Sequence, residues 1–211
     1  MSGIEDSIDA LGPRAQTLVT RVKGIIVQPR SEWHVIDGEA TSVGQLYMGY
    51  IIPLAAITPI ATFIGTAIFG IGIPLIGTYH VPMGVALERA VTSYVLALIG
   101  VYVLALIIDA LAPSFGGRKS QVQALKVAAY SSTASWVVGI VMLVPMLGIL
   151  AILGLYSLYL LFLGLPIVMK TPADKALPYT VIVIVCAIVI FVIIGSIGTH
   201  FVSYPTMGVI R

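Results

Sequence analysis

The sequence predicts an all-α membrane protein, a bundle of five transmembrane helices preceded by an N-terminal amphipathic cytoplasmic helix. Three observations predict it. Charged residues make up 9% and hydrophobic residues 59% of the 211-residue chain, where a soluble domain carries about 25% charged residues, and mean hydropathy is +1.07. Apolar runs of about 18 residues or more, long enough to cross a hydrocarbon core about 30 Å thick, recur along the chain. The basic residues are also placed asymmetrically. With a cytoplasmic N-terminus and five spans, that side holds Arg14, Arg21, Lys23, Arg30, Arg118, Lys119, Lys126, Lys170 and Lys175, and the other holds only Arg89 and Arg211. This is the positive-inside bias, and it requires an odd number of spans.

Residues 1–44 form the expected cytoplasmic segment. Met1–Ser42 holds six of the nine acids and four of the eleven bases, and no apolar core of a cleaved leader is present. Within it, Leu11, Leu18, Val22, Ile25 and Ile26 alternate with Arg14, Thr17, Arg21 and Lys23 at helical spacing. Such a helix can lie in the headgroup plane with its cations toward anionic lipid, or it can pack on the membrane domain. Pro29 is expected to end it. Arg14, Arg21, Lys23, Arg30 and Trp33 are the candidate interface and lipid-contacting residues, the Trp because an amphipathic ring suits the membrane surface.

The membrane domain is expected over 45–200, with spans at about 45–69, 90–111, 122–144, 147–169 and 178–199. Pro53 and Pro59 predict kinks in the first. Gly70–Gly84, rich in Gly and Pro and nearly uncharged, reads as a loop resting on the membrane surface or re-entering it. The turn between the third and fourth spans, at Pro145, carries no charge. The fourth span closes at Met169. After Lys170, Thr171-Pro172-Ala173-Asp174 supplies a Thr cap, a Pro at the first helical position and an acid at the third. Residues 201–211 form a short external tail.

Ionisable groups inside the membrane are functional candidates, because each is costly unless paired. Asp109 and Lys126 are two such groups, near one surface on consecutive helices. They are expected either to form an ion pair, with Tyr130 beside it, or to reach the interface separately. Gln123, Lys126, Tyr130 and Thr133 share one face of the third span at spacings of three and four. Ser131, Ser132 and Ser135 add small groups that permit close helix contact. His34, His80 and His200 lie far apart, and Cys186 is the single cysteine. No catalytic motif, cofactor-binding loop or metal-ligand cluster is present in the sequence, and the basic residues follow topology rather than a nucleic-acid footprint.

A set of short pieces, in order along residues 18–195, resembles the Yip1 family of small polytopic membrane proteins. They are Pro29-Arg30-Ser31-Glu32-Trp33, Phe115-Gly116-Gly117, Ala124-Leu125-Lys126-Val127-Ala128-Ala129-Tyr130-Ser131, the Tyr156-Ser157-Leu158-Tyr159 core within Ile152–Gly164, Gly164-Leu165-Pro166 and Lys175-Ala176-Leu177-Pro178-Tyr179. The resemblance implies five spans with a cytoplasmic N-terminus, a membrane-organising or partner-binding role without enzymatic activity, and a homo-oligomer or membrane-protein partner. Eukaryotic relatives bind Rab-type GTPases and carry an Asp-Leu-Tyr-Gly-Pro motif. Here Asp9-Ala10-Leu11-Gly12-Pro13 keeps only the Asp and the Gly-Pro, so a GTPase partner is not expected. The sequence resembles prokaryotic members, which implies the plasma (inner) membrane. The alternatives are a small transporter or channel with a polar site around Asp109, Lys126 and Tyr130, and a lipid-binding protein.

Overall fold

The computed structural model describes residues 13–73 and 77–201, so Asp9–Gly12 and the tail beyond Phe201 lie outside the described residues. Two short helices, α1 (Pro13–Val27) and α2 (Pro29–Gly38), precede five helical segments long and apolar enough to cross a membrane. These spans are Val43–Phe69, Met83–Phe115, Gln121–Leu143, Pro145–Val168 and Ala173–Ile193. The expected all-α bundle of five spans is therefore present.

The first helix ends at Val27, just ahead of Pro29, as expected, and Pro29 also opens a second helix. Pro at the first position lacks only an N–H that would have no intrahelical partner, and Glu32 in the first turn complements the helix dipole. Trp33 and Ile36, three residues apart, turn inward and are fully buried. The first span starts two residues before its apolar run because Ser42 and Gln45 form a reciprocal capping box. Pro53 is accommodated by a wide π-type turn over Tyr47–Ile51, in which the Ile52 N–H reaches back to the Tyr47 carbonyl. A second irregularity falls at Ala56, three residues ahead of Pro59. Each proline removes one ladder donor, and the helix bends where that donor is missing.

Between the first two spans, β1 (Ile71–Ile73) pairs antiparallel with β2 (Gly77–Tyr79), where the sequence predicted a loop. Gly70, with φ +75°, makes the corner into it. The second span is one continuous helix from Met83 to Leu111 with a 3-10 turn to Phe115. It includes Glu88 and Arg89, which lie in its second turn instead of preceding it.

The third span bends at Ser132. The Ser131 and Ser132 hydroxyls both donate to the Ala128 carbonyl, and the Thr133 hydroxyl donates to the Tyr130 carbonyl. Hydroxyls that bond back to the preceding turn compete with the ladder and bend a helix. Beyond the bend the span tightens to a 3-10 turn at Gly139–Leu143, and the fourth begins as a 3-10 segment, Pro145–Leu155, before becoming an α-helix. Gly139 lies so close to Thr58 of the first span that a Cβ there would sit 1.9 Å from the Thr58 Oγ1. Small residues let backbones meet where lipid offers no hydrophobic drive between helices.

The end of the bundle that carries α1 and α2 is knit by its loops. Gly116, in the left-handed region at φ +73°, turns the chain after the second span. The Arg118 N–H then bonds to the Met169 carbonyl, 2.8 Å away, joining the loop after the second span to the end of the fourth. The expected Thr171 cap is not formed: the fifth helix starts at Ala173, the Pro172 carbonyl receives the Lys175 N–H, and the Thr171 hydroxyl is buried without a partner. Phe115 stacks on Tyr179 with ring centroids 5.0 Å apart, tying the second span to the fifth.

Candidate functional site

The expected polar edge of the third span is a docking seam for the two N-terminal helices. Lys126 lies in the first turns of that span and is 2% exposed. Its Nζ donates to the Ile36 carbonyl at 2.8 Å and to the Glu39 carbonyl at 2.6 Å. The last carbonyls of a helix have no intrahelical donors and carry the negative end of its dipole, so an ammonium there caps α2 both sterically and electrostatically. Gln123, one turn earlier, reaches the Asp37 carbonyl. Lys170, at the exit of the fourth span, pairs with the Asp37 carboxylate.

Arg21 of α1 bridges Glu32 and Glu39, and its guanidinium lies 5.9 Å from the centre of the Tyr130 ring. Burial alone lowers the Arg21 pKa, but the Glu39 carboxylate, Tyr130 and Glu32 outweigh it, and the net shift is upward. The cluster thus sets three cations, Arg21, Lys126 and Lys170, among three acids, Glu32, Asp37 and Glu39. Partly buried pairs of this kind add little net stability but fix geometry strongly, because removing one partner leaves an uncompensated charge.

Beneath the charges lies an aromatic stack. Trp33 meets the edge of Tyr130 at 6.3 Å, and Tyr130 meets Tyr50 of the first span at 4.5 Å. Trp33 also meets Gly164 of the fourth span, where a Cβ would fall 2.6 Å from the Trp Cζ2. The Tyr50 and Thr133 hydroxyls are 2.7 Å apart. Since the Thr133 proton goes to the Tyr130 carbonyl, Tyr50 is the donor to Thr133. Thr133→Val leaves the buried Tyr50 hydroxyl without an acceptor and should cost about 1–3 kcal/mol, whereas Tyr50→Phe removes one donor and should cost about 1. Comparing the unfolding midpoints of the two variants in detergent checks this order.

The structure therefore gathers Gln123, Lys126, Tyr130 and Thr133 at one seam, with Arg21 and Trp33. It separates Asp109 from them. The expected Asp109–Lys126 ion pair is absent from the pairs found among the described residues. Asp109, 8% exposed, keeps an unpartnered Oδ1 and lies beside Tyr179 of the fifth span. The two helices are neighbours, but Lys126 faces α2 and Asp109 faces the fifth span. Trp33 also departs from its expected place at the membrane surface, being 0% exposed, and Arg21 is turned inward. Lys23 and Arg30 are exposed, and α1 carries Arg14. Glu32, Asp37, Glu39, Tyr50 and Gly164 were not singled out from sequence. The signal available was the acid spacing in a helix following Pro29, set opposite the polar edge of the third span.

Two cavities, each of about 600 Å³, flank the seam. The first has a mixed lining and lies between α1 and the first span, lined by Arg21, Glu39, Tyr50 and Tyr130 among others. The second lies among the five spans, Thr58 of the first included, and is mostly apolar. They share no lining residue, and neither touches Asp109 or Lys126. No group of three or more potential metal ligands occurs among the described residues.

The model of the Yip1 domain matches residues 23–194. No curated protein and no solved structure matches the chain. The matched range includes Arg30, Trp33, Lys126, Tyr130 and Gly164, and so most of the seam.

Proposed function

Because this chain belongs to the Yip1 family, an integral membrane family, we propose that it is a non-enzymatic membrane-organising protein whose α1–α2 hairpin is its partner-binding part. The observation that carries this is the seam itself. The polar groups of the third span are spent inside the protein: Lys126 on two carbonyls at the end of α2, Gln123 on a third, and Thr133 on Tyr50 of the first span. What the hairpin leaves outward is Lys23, Val27, Arg30, His34 and Val35, a mixed basic and apolar surface on a rigid seat. Such a surface, with large apolar groups beside cations, suits a protein partner or a second copy of the chain. The basic residues at the hairpin end support a cytoplasmic hairpin and an external C-terminus, in a prokaryotic plasma membrane. A transport role needs a water-accessible path through Asp109, Lys126 and Tyr130. The first cavity reaches Tyr130 but neither Asp109 nor Lys126, and the second is mostly apolar, which favours the organising role.

Purification in lipid nanodiscs, with mass spectrometry of what co-purifies, tests the reading. A stoichiometric protein partner or homo-oligomer, lost in Arg30→Glu/Val35→Asp, is the expected result. Proteoliposome flux of an ion or solute that depends on Tyr130 would overturn it in favour of transport.

A further inference from the structure

The second cavity assigns a different kind of ligand to the opposite half of the bundle. On the third span its lining starts at Ser131, and it includes buried Trp136 and Leu161 and a polar corner where the Ser135 and Ser157 hydroxyls meet at 2.8 Å. Its rim, by contrast, is made of Leu155, Leu158, Ile188 and Phe191, which are exposed on the outer surface of the fourth and fifth spans. In a membrane-spanning bundle that surface faces hydrocarbon, so the mouth opens into the bilayer. At about 600 Å³ the cavity falls within the range of small-molecule sites.

We propose that this cavity takes the hydrocarbon tail of a membrane lipid, which enters between the fourth and fifth spans. Three features fit a tail and exclude its headgroup. No charged side chain lines the cavity. The serines satisfy one another and the Gly154 carbonyl, at 3.1 Å, instead of facing a ligand. A large apolar void stays dry and binds apolar molecules, since water there would lack the two to four polar partners it needs. The start of the fourth span borders the void: Pro145–Leu155 is a 3-10 segment without a single buried residue, touching the third span where Gly154 meets Ser135. The Trp136 indole, 7% exposed, lines the cavity.

Trp136 and Trp33 are the two tryptophans of the chain, which allows a direct test. Trp33→Phe leaves Trp136 as the single fluorophore, in nanodiscs of phosphatidylcholine brominated midway along the acyl chains. If Trp33→Phe does not fold, the difference between wild type and Trp136→Phe isolates the same signal. Since Trp136 is shielded from surrounding lipid, strong quenching requires a brominated tail inside the cavity. Ala187→Phe and Gly154→Val, which place bulk in the cavity, should remove most of the quenching and leave emission in unbrominated lipid unchanged. The second substitution is sterically mild, because a Cβ at Gly154 meets Ser135 at an ordinary 3.4 Å. Absence of quenching, or quenching that survives both filling substitutions, overturns the proposal. Emission that is insensitive to bromine but changes with protein-to-lipid ratio assigns the cavity to a second copy instead.

Discussion

Gly164→Ala is expected to expel Trp33 from its seat and release α2 from the bundle. The added Cβ would stand 2.6, 2.7 and 2.8 Å from three atoms of the indole, well inside van der Waals contact. The ring has little room to retreat, because it is 0% exposed and also packs against Tyr130 with centroids 6.3 Å apart. Overpacking of a well-packed site costs about 1–3 kcal/mol, and a rigid bicyclic ring places this substitution toward the upper end. Gly164→Leu should be worse. Gly24→Ala is the informative comparison: its Cβ would also come within 2.6 Å of a neighbour, but that neighbour is the end of the flexible Glu32 side chain. It should cost markedly less. Gly148→Ala, with nothing within 4 Å, should be neutral. Hydrogen exchange over Pro29–Gly38, with the emission maximum of Trp33 in a Trp136→Phe background, reports the event: fast exchange and a red shift in Gly164→Ala, neither in Gly148→Ala. A smaller residue in place of Trp33 should restore slow exchange in Gly164→Ala. Unchanged exchange in Gly164→Ala itself would mean that Trp33 does not hold the hairpin.

The five spans were legible because lipid imposes a crude requirement. Each needs about twenty apolar residues, and the uncharged run Pro178–Thr199 meets that need. Their ends were misplaced where polar chemistry extends a helix past its apolar stretch, as the Ser42–Gln45 box does, or where Glu88 and Arg89 simply continue the second span. The polar edge of the third span was also legible, since Gln123, Lys126, Tyr130 and Thr133 share a face by spacing alone. Its partner was not. Pairing Asp109 with Lys126 rested on their being opposite charges at similar depth on adjacent helices, and depth says nothing about rotation. Lys126 found neutral carbonyls, which no charge pattern reveals, because an exposed helix end becomes an acceptor only once α2 exists. Pro29 was read only as a stop, whereas it ends α1 and also starts α2. That single misreading hid Glu32, Asp37 and Glu39 as site residues. It also left Trp33 to be judged by its ring, as an interface residue, instead of by its spacing to Ile36, which buries both.

Lys126→Met should loosen the hairpin more than any change at Asp109, and the two effects should be independent. Methionine preserves the length and apolar bulk of the stem but leaves the Ile36 and Glu39 carbonyls facing an apolar group where they had a shared donor at 2.8 and 2.6 Å. The Glu39 carbonyl loses its donor, which costs about 1–3 kcal/mol, while the Ile36 carbonyl keeps the Glu39 N–H at 3.4 Å; the favourable cation at the end of the α2 dipole is lost as well. The charge balance of the seam also changes, from three against three to two cations facing Glu32, Asp37 and Glu39. Lys126→Arg keeps the charge but replaces a compact three-donor head with a wider planar fork, and should recover part of the loss. Asp109→Asn touches none of these groups, since its carboxylate lies toward Tyr179 with one oxygen already unpartnered. Its effect should be small. In a double-mutant cycle on unfolding free energy, sites that share no partner add to within about 0.3–0.5 kcal/mol, and that is the expected result for Lys126→Met with Asp109→Asn. The same cycle between Lys126→Met and Glu39→Gln should show a larger coupling, because the Glu39 carbonyl and carboxylate anchor the α1–α2 hairpin through Lys126 and Arg21 together. A strong coupling to Asp109 and none to Glu39 would restore the ion pair that the sequence suggested. The geometry of the seam predicts the reverse, because a lysine that already donates to two carbonyls has little to offer a carboxylate turned toward another helix.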